Sequence, residues 1–141
     1  MVKQRLLAAT VLTWMVLLSY TNPNVTSDEN PFLEAFVGWP IVSFFAVIVS
    51  ITLASSGNIH LRLSDLEIQR GTSFGNTKSA VRKSALSLVV ILCLALLIAI
   101  LKPVLPDYIW VDQVSNCASL SLIYLSIWIL YDLTDTVLAI P

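Results

Sequence analysis

Charge is scarce in this chain. Asp, Glu, Lys and Arg make up 12% of its 141 residues, about half the ~25% of a soluble domain. With 57% hydrophobic residues, that scarcity excludes a disordered chain, a fibrous protein and a nucleic-acid binder. It also leaves too little polar surface for an ordinary water-soluble globule. The two cysteines, Cys93 and Cys117, are too few for a disulfide scaffold. One falls mid-span and the other near a span end, so their depths differ by roughly 7 Å. That separation predicts two free, buried, small apolar residues.

Histidine is nearly absent. His60 stands alone, whereas a haem bundle uses paired histidines and a zinc site needs several nitrogen or sulfur ligands. Together with Asp65 and Glu67 it makes a poor metal site, and it reads as a solvated residue. No G-x-S-x-G, Walker or Rossmann glycine pattern occurs. The expectation is a protein that is not an enzyme and takes no cofactor or metal. Carboxylates and cations are also missing from every long apolar run, which argues against a proton-coupled carrier.

What remains is hydrophobic length, with a mean hydropathy of +0.83. Four uncharged runs stand out at about 6–21, 35–57, 84–101 and 113–131, each near the ~20 residues a helix needs to cross hydrocarbon. Backbone groups in lipid must be satisfied within the segment, so each run should be helical. The fold class expected is therefore all-α. It is a polytopic membrane protein of four transmembrane helices in an antiparallel bundle, one domain over residues 1–141, with a loop at 58–83.

Cations set the threading. Lys3, Arg5, Arg62, Arg70, Lys78, Arg82 and Lys83 fall on one side of four crossings, and Lys102 alone on the other. Asp28, Glu29, Glu34, Asp107 and Asp112 share the side of Lys102. This positive-inside pattern predicts two cytoplasmic termini. No organelle-targeting signal is evident, so a bacterial inner membrane is the expected location. Trp39, Tyr108 and Trp110, and at the other end Trp128 and Tyr131, suit headgroup depth. Pro103 and Pro106 should stop the third helix, and Pro40 is tolerated in the first turns of the second. A competing reading takes the N-terminal run as a signal peptide cleaved near Val25-Thr26-Ser27, leaving three helices. Asn24-Val25-Thr26 has sequon form, read as chance.

Four groups of residues are candidate sites. Ser43, Ala46, Ser50, Ala54 and Gly57 form one small-residue stripe, suited to packing within the chain or to an oligomer seam. Ser115, Asn116, Ser119 and Ser126 form a polar stripe on the fourth span, read as packing or as pore lining. In the loop, Ser64 and Glu67 have capping-box spacing, Leu63 and Ile68 staple spacing, and Gly71 is a stop. They predict a short amphipathic cytoplasmic helix between helices 2 and 3. Leu63, Leu66, Ile68 and Arg70 would dock it on a partner or the membrane surface, with Phe74 a further anchor. Finally, Arg82 or Lys83 should pair with Asp132 or Asp135 across the third and fourth spans.

The function expected is non-catalytic, exercised through protein contacts as an accessory subunit, anchor, membrane sensor or immunity-type protein. The alternative is an oligomeric pore, a holin-like permeabiliser or a small channel or transporter. Partners would be membrane lipids and a protein partner or a second copy, with no nucleic acid.

Overall fold

The computed structural model describes residues 2–71, 73–106 and 108–138, with side chains from Thr10 onward except at positions 11 and 12. The side chains of Lys3 and Arg5, and residues Thr72 and Asp107, therefore lie outside the described set. The described chain is almost wholly helical. Its elements are α1 (Val2–Thr21), α2 (Pro23–Thr26), α3 (Pro31–Phe36), α4 (Trp39–Arg70), α5 (Gly75–Leu101) and α6 (Ile109–Leu138). A single tight turn, Lys102–Val104, follows α5.

Among the described residues three helices are long and apolar enough to cross a membrane: Trp39–Arg70, Gly75–Val104 and Ile109–Leu138. α1, the first of the four expected spans, is not among them. The second expected span, 35–57, is divided differently. Pro31 opens the short α3, capped by the Asn30 side chain accepting from Phe32 N at 3.1 Å. Gly38 precedes α4, and Pro40 sits in its first turn, where a missing N–H costs least.

The largest departure is the length of α4. No separate short helix exists between the second and third expected spans, because α4 runs unbroken from Trp39 to Arg70. Ser64 does not cap a helix start; its hydroxyl donates back to His60 O at 2.9 Å, as a mid-helix serine does. Nothing between Gly57 and Leu63 forces a break. The Gly57–Asn58 step costs about 1–2 kcal/mol of propensity, while continuing the helix keeps its backbone bonds and buries Leu63, 1% exposed. Gly71 is the stop the sequence indicates, left-handed at φ 65°, its N–H bonded to Glu67 O. α5 begins at Gly75, so the expected loop 58–83 shrinks to a few residues.

α5 packs against both α4 and α6. Its buried residues Val81, Ala85, Leu88, Ile91 and Ala95 recur every three or four positions, one stripe of a helix. Of these, Leu88, Ile91 and Ala95 meet Ile41, Val42, Phe45 and Val49 of α4 and Leu122 of α6 in one core. Ala95 is fully enclosed, and small side chains there allow close helix approach. A ladder of rings, Phe32 on Phe36, Phe36 on Phe44 and Phe44 on Phe45, ties α3 to this core.

The continuity of α4 has a direct check. In a Cys93→Ser, Cys117→Ser background, single cysteines placed at residues 60–70 should react with a helical period. Leu63→Cys should be slowest and Ile68→Cys, at an 84% exposed position, among the fastest. Uniformly fast labelling from 58 onward would instead restore the loop.

Candidate functional site

The strongest polar constellation lies at the end of the molecule that carries residues 22–38. Asn116, on the second turn of α6, is fully buried. Its Nδ2 donates to Thr26 O and to Asp28 Oδ1, each at 3.0 Å. Its Oδ1 accepts from Lys102 Nζ at 3.2 Å. Lys102 Nζ also donates to Asp28 Oδ1 at 2.7 Å, closing the triangle. Pro103 and the turn that ends α5 place the Lys102 ammonium here. Gln113 adds a longer bond to Pro23 O at 3.4 Å. Three remote stretches of chain, the α2–α3 segment, the end of α5 and the start of α6, are thus held at one point.

Burial pushes the Asp28 carboxyl up, but the hydrogen bonds from Lys102 and Asn116 and the lysine's charge outweigh it. The net effect holds the group below its ordinary value of 3.8. A cleft of about 500 Å³ opens beside the triangle, with Asp28, Glu34, Lys102 and Asp112 in its wall.

A second latch closes the far end of α4 and α5. Glu67 Oε1 accepts from Phe74 N at 2.6 Å, and Oε2 takes the Lys78 ammonium. One carboxylate thereby spans the turn and caps the approach to α5. Phe74 is half-buried here as the residue preceding α5, so it joins the turn rather than standing free as an anchor.

The expected sites are distributed as follows. Asn116, Ser119 and Ser126 are 0–1% exposed, closed into the packed face of α6, and Ser115 is half-buried. Ser126 donates to Ile123 O at 2.7 Å. The hydroxyls of Ser56, Ser119 and Tyr124 are buried without a partner. The small-residue stripe of α4 does not pack inside the chain. Ser43, Ser50, Ala54 and Gly57 are exposed and Ala46 half-buried, because the larger Ile41, Val42, Phe45 and Val49 supply the packing face. Leu63 is buried and Leu66 half-buried, while Ile68 and Arg70 are exposed. His60 is exposed too, and among the described residues no cluster of His, Cys, Asp and Glu suits a metal.

The expected pairing of Arg82 or Lys83 with Asp132 or Asp135 is not formed. All four side chains are exposed, and the ion pairs of the described chain are Lys78–Glu67 and Lys102–Asp28. Solvated charges gain little from pairing, and α5 starts at Gly75 rather than beside Arg82. Both cysteines are free as expected, but Cys93 is exposed rather than buried. Cys117 meets Ser19 of α1 at 3.1 Å.

These features define an all-α chain with three potential membrane-crossing helices and a polar lock at one end. No known family model, curated protein or solved structure matches it.

The lock yields a stability prediction. Asn116→Ala leaves buried partners unsatisfied and should cost about 1–3 kcal/mol. Lys102→Met should lower the melting temperature in detergent at pH 7, and adding Asp28→Asn to it should recover part of the loss. A depressed carboxyl gives stability that is complete above its unfolded value and is lost as pH falls through its folded value. The wild-type melting temperature should therefore fall as pH drops through and below 3.8, more steeply than that of Asp28→Asn. Parallel curves would remove Asp28 from the lock.

Proposed function

We propose that the chain is a non-catalytic integral membrane protein acting through protein contacts. It threads the bilayer as four antiparallel helices, with both termini on the cytoplasmic face of a bacterial inner membrane. α1 supplies the fourth crossing. Its Met15 and Ser19 bond with Ser121 and Cys117 of α6, which supports its retention in the mature protein. Thr26 and Ser27, at the alternative cleavage point, are buried and bound to Asn116 through Thr26 O. Cation placement supports the orientation, with Arg62, Arg70, Lys78, Arg82 and Lys83 at the α4–α5 end.

The observation that carries the contact-based reading is that end itself. α4 has 32 residues, so it is about 48 Å long, some 18 Å more than the ~30 Å hydrocarbon layer. The excess, with the first turns of α5, forms a two-helix tip fastened by Glu67. Leu61 and Ile68 are 65% and 84% exposed on it among solvated cations. A rigid, charged tip with exposed apolar residues beyond the lipid suits a protein partner. A pore lined by α6 has less support, since its polar stripe is closed into the packing face.

The test is purification of the tagged full chain from native membranes in mild detergent, followed by native mass spectrometry. A stoichiometric second protein is expected. Leu61→Asp with Ile68→Asp should cut its recovery by about ten-fold or more without changing membrane levels. Recovery of the chain alone, or only of copies of itself, would overturn the reading. In the cysteine-substituted background, an impermeant thiol reagent should label Glu29→Cys in intact cells and Gln69→Cys only after permeabilisation. The reverse order would overturn the threading.

A further inference from the structure

α4 has two apolar faces, and the chain itself uses one. Ile41, Val42, Phe45, Val49 and Leu63 are buried against the rest of the molecule. On the other side two sets of positions interleave, each repeating every seven residues. Ser43, Ser50, Gly57 and Ser64 form one set, and Val47, Ala54, Leu61 and Ile68 form the other. Ser64 is half-buried and the remaining seven are exposed. Steps of four and three that alternate without a break from Ser43 to Ile68 are the seam of two helices wound on each other. Lipid imposes no such period.

Gly57 is an independent sign of a neighbour. Glycine weakens a helix interior, and a positive φ or a close approach ordinarily accounts for it. Gly71 is the positive-φ glycine of the described residues. A Cβ added at Gly57 would meet nothing within 4 Å. Within one chain its missing side chain makes room for nothing. Beside a second helix it lets two backbones come close, with Ala54 and Ser50 one and two turns before it.

The seam also selects its occupant. Copies of one protein thread alike, so two α4 helices side by side run parallel. Each seam residue then faces its own counterpart. Such a seam has to be free of charge. It is, although His60, Arg62, Asp65, Glu67 and Arg70 crowd the same stretch of helix. The flanks are complementary as well. Across a parallel seam a flanking residue faces the one five positions further on in the other helix. That sets His60 of one copy beside Asp65 of the other, and both are exposed in the single chain. The flanking pairs before it, Ala46 with Ile51 and Leu53 with Asn58, are uncharged.

We propose that α4 pairs in parallel with α4 of a second copy along this seam, with closest backbone approach at Ser50, Ala54 and Gly57. The protein partner proposed above then meets two tips side by side. The pairing rests on α4 crossing the bilayer and holds whichever end faces the cytoplasm.

Disulfide cross-linking tests it in the full chain, in native membranes, with Cys93→Ser and Cys117→Ser as background and a membrane-permeant oxidant. A disulfide needs Cα atoms within about 7 Å. Ser50→Cys, Ala54→Cys and Gly57→Cys should each give a cross-linked pair of chains at about five-fold or more the yield of Ser55→Cys, which is exposed on another face. Gly57→Leu sends its side chain into open space within the chain. It should leave membrane levels unchanged and cut the Ser50→Cys cross-link about five-fold. Equal yields at residues 50 and 55 would mean collision alone and overturn the pairing. A Ser50→Cys cross-link indifferent to Gly57→Leu would overturn it too. Failure to recover a second protein sinks the partner reading but leaves these yields as they are.

Discussion

A buried amide with no partner costs about 1–3 kcal/mol. Asn116 is enclosed, so its donors and its acceptor must be met by the chain. They are met by Thr26 O, Asp28 and Lys102, and that requirement organises one whole end of the molecule. α2 has four residues and α3 six, too short to hold a position by themselves. Their place is fixed by the bonds that Asn116 and Lys102 make to residues 26–28. The ring ladder from Phe32 to Phe45 then carries that position into the α4–α5 core.

The opposite end uses the same logic with different parts. Glu67 there satisfies one orphan N–H of the turn and one ammonium. Between the two latches the helices meet without charge. The contacts there are apolar: Ile41, Val42, Phe45 and Val49 against Leu88, Ile91, Ala95 and Leu122. Lipid tails are as apolar as leucine, so burial alone gives helices in a bilayer little reason to associate. Directional bonds at both ends, with close packing between, supply one. Only 22–28% of each candidate span is buried inside the chain, so most of the apolar surface is left for lipid or for another protein to cover.

The sequence made legible whatever depends on local rules. Charge-free length gave the apolar helices, Gly71 and Pro103 gave their ends, and ring placement gave Trp39 and Trp110 at helix starts, while Trp128 falls inside α6, which runs on to Leu138. It misled where two local rules competed. Ser64 and Glu67 have the spacing of a helix start, yet no residue before them ends the helix already running. Glu67 serves the far side of the turn instead. The lock was hidden because its members are 14 to 90 positions apart in the chain, beyond any periodicity. A signal did exist. Lys102 is the lone cation on a side with five carboxylates, and Asn116 is an amide placed inside an apolar run. Either residue, taken as a group in need of a partner, points to the other. The pairing of Arg82 with Asp132 failed for the complementary reason: exposed charges have water, and need no partner.

A groove of about 550 Å³ between α1, the segment from Val25 to Leu33, and α6 follows from the same hierarchy of constraints. Among the described side chains, α1 meets α6 through sulfur and hydroxyl contacts, Ser19 with Cys117 and Met15 with Ser121. These contacts are weak. The end of α1 leads straight into residues 22–28, whose position the lock dictates. At that height the distance between α1 and α6 is therefore set by polar bonds to Asn116, not by how closely Trp14 and Leu120 might pack. Where a polar contact fixes spacing and apolar side chains must accept it, a gap remains that only an apolar group can fill.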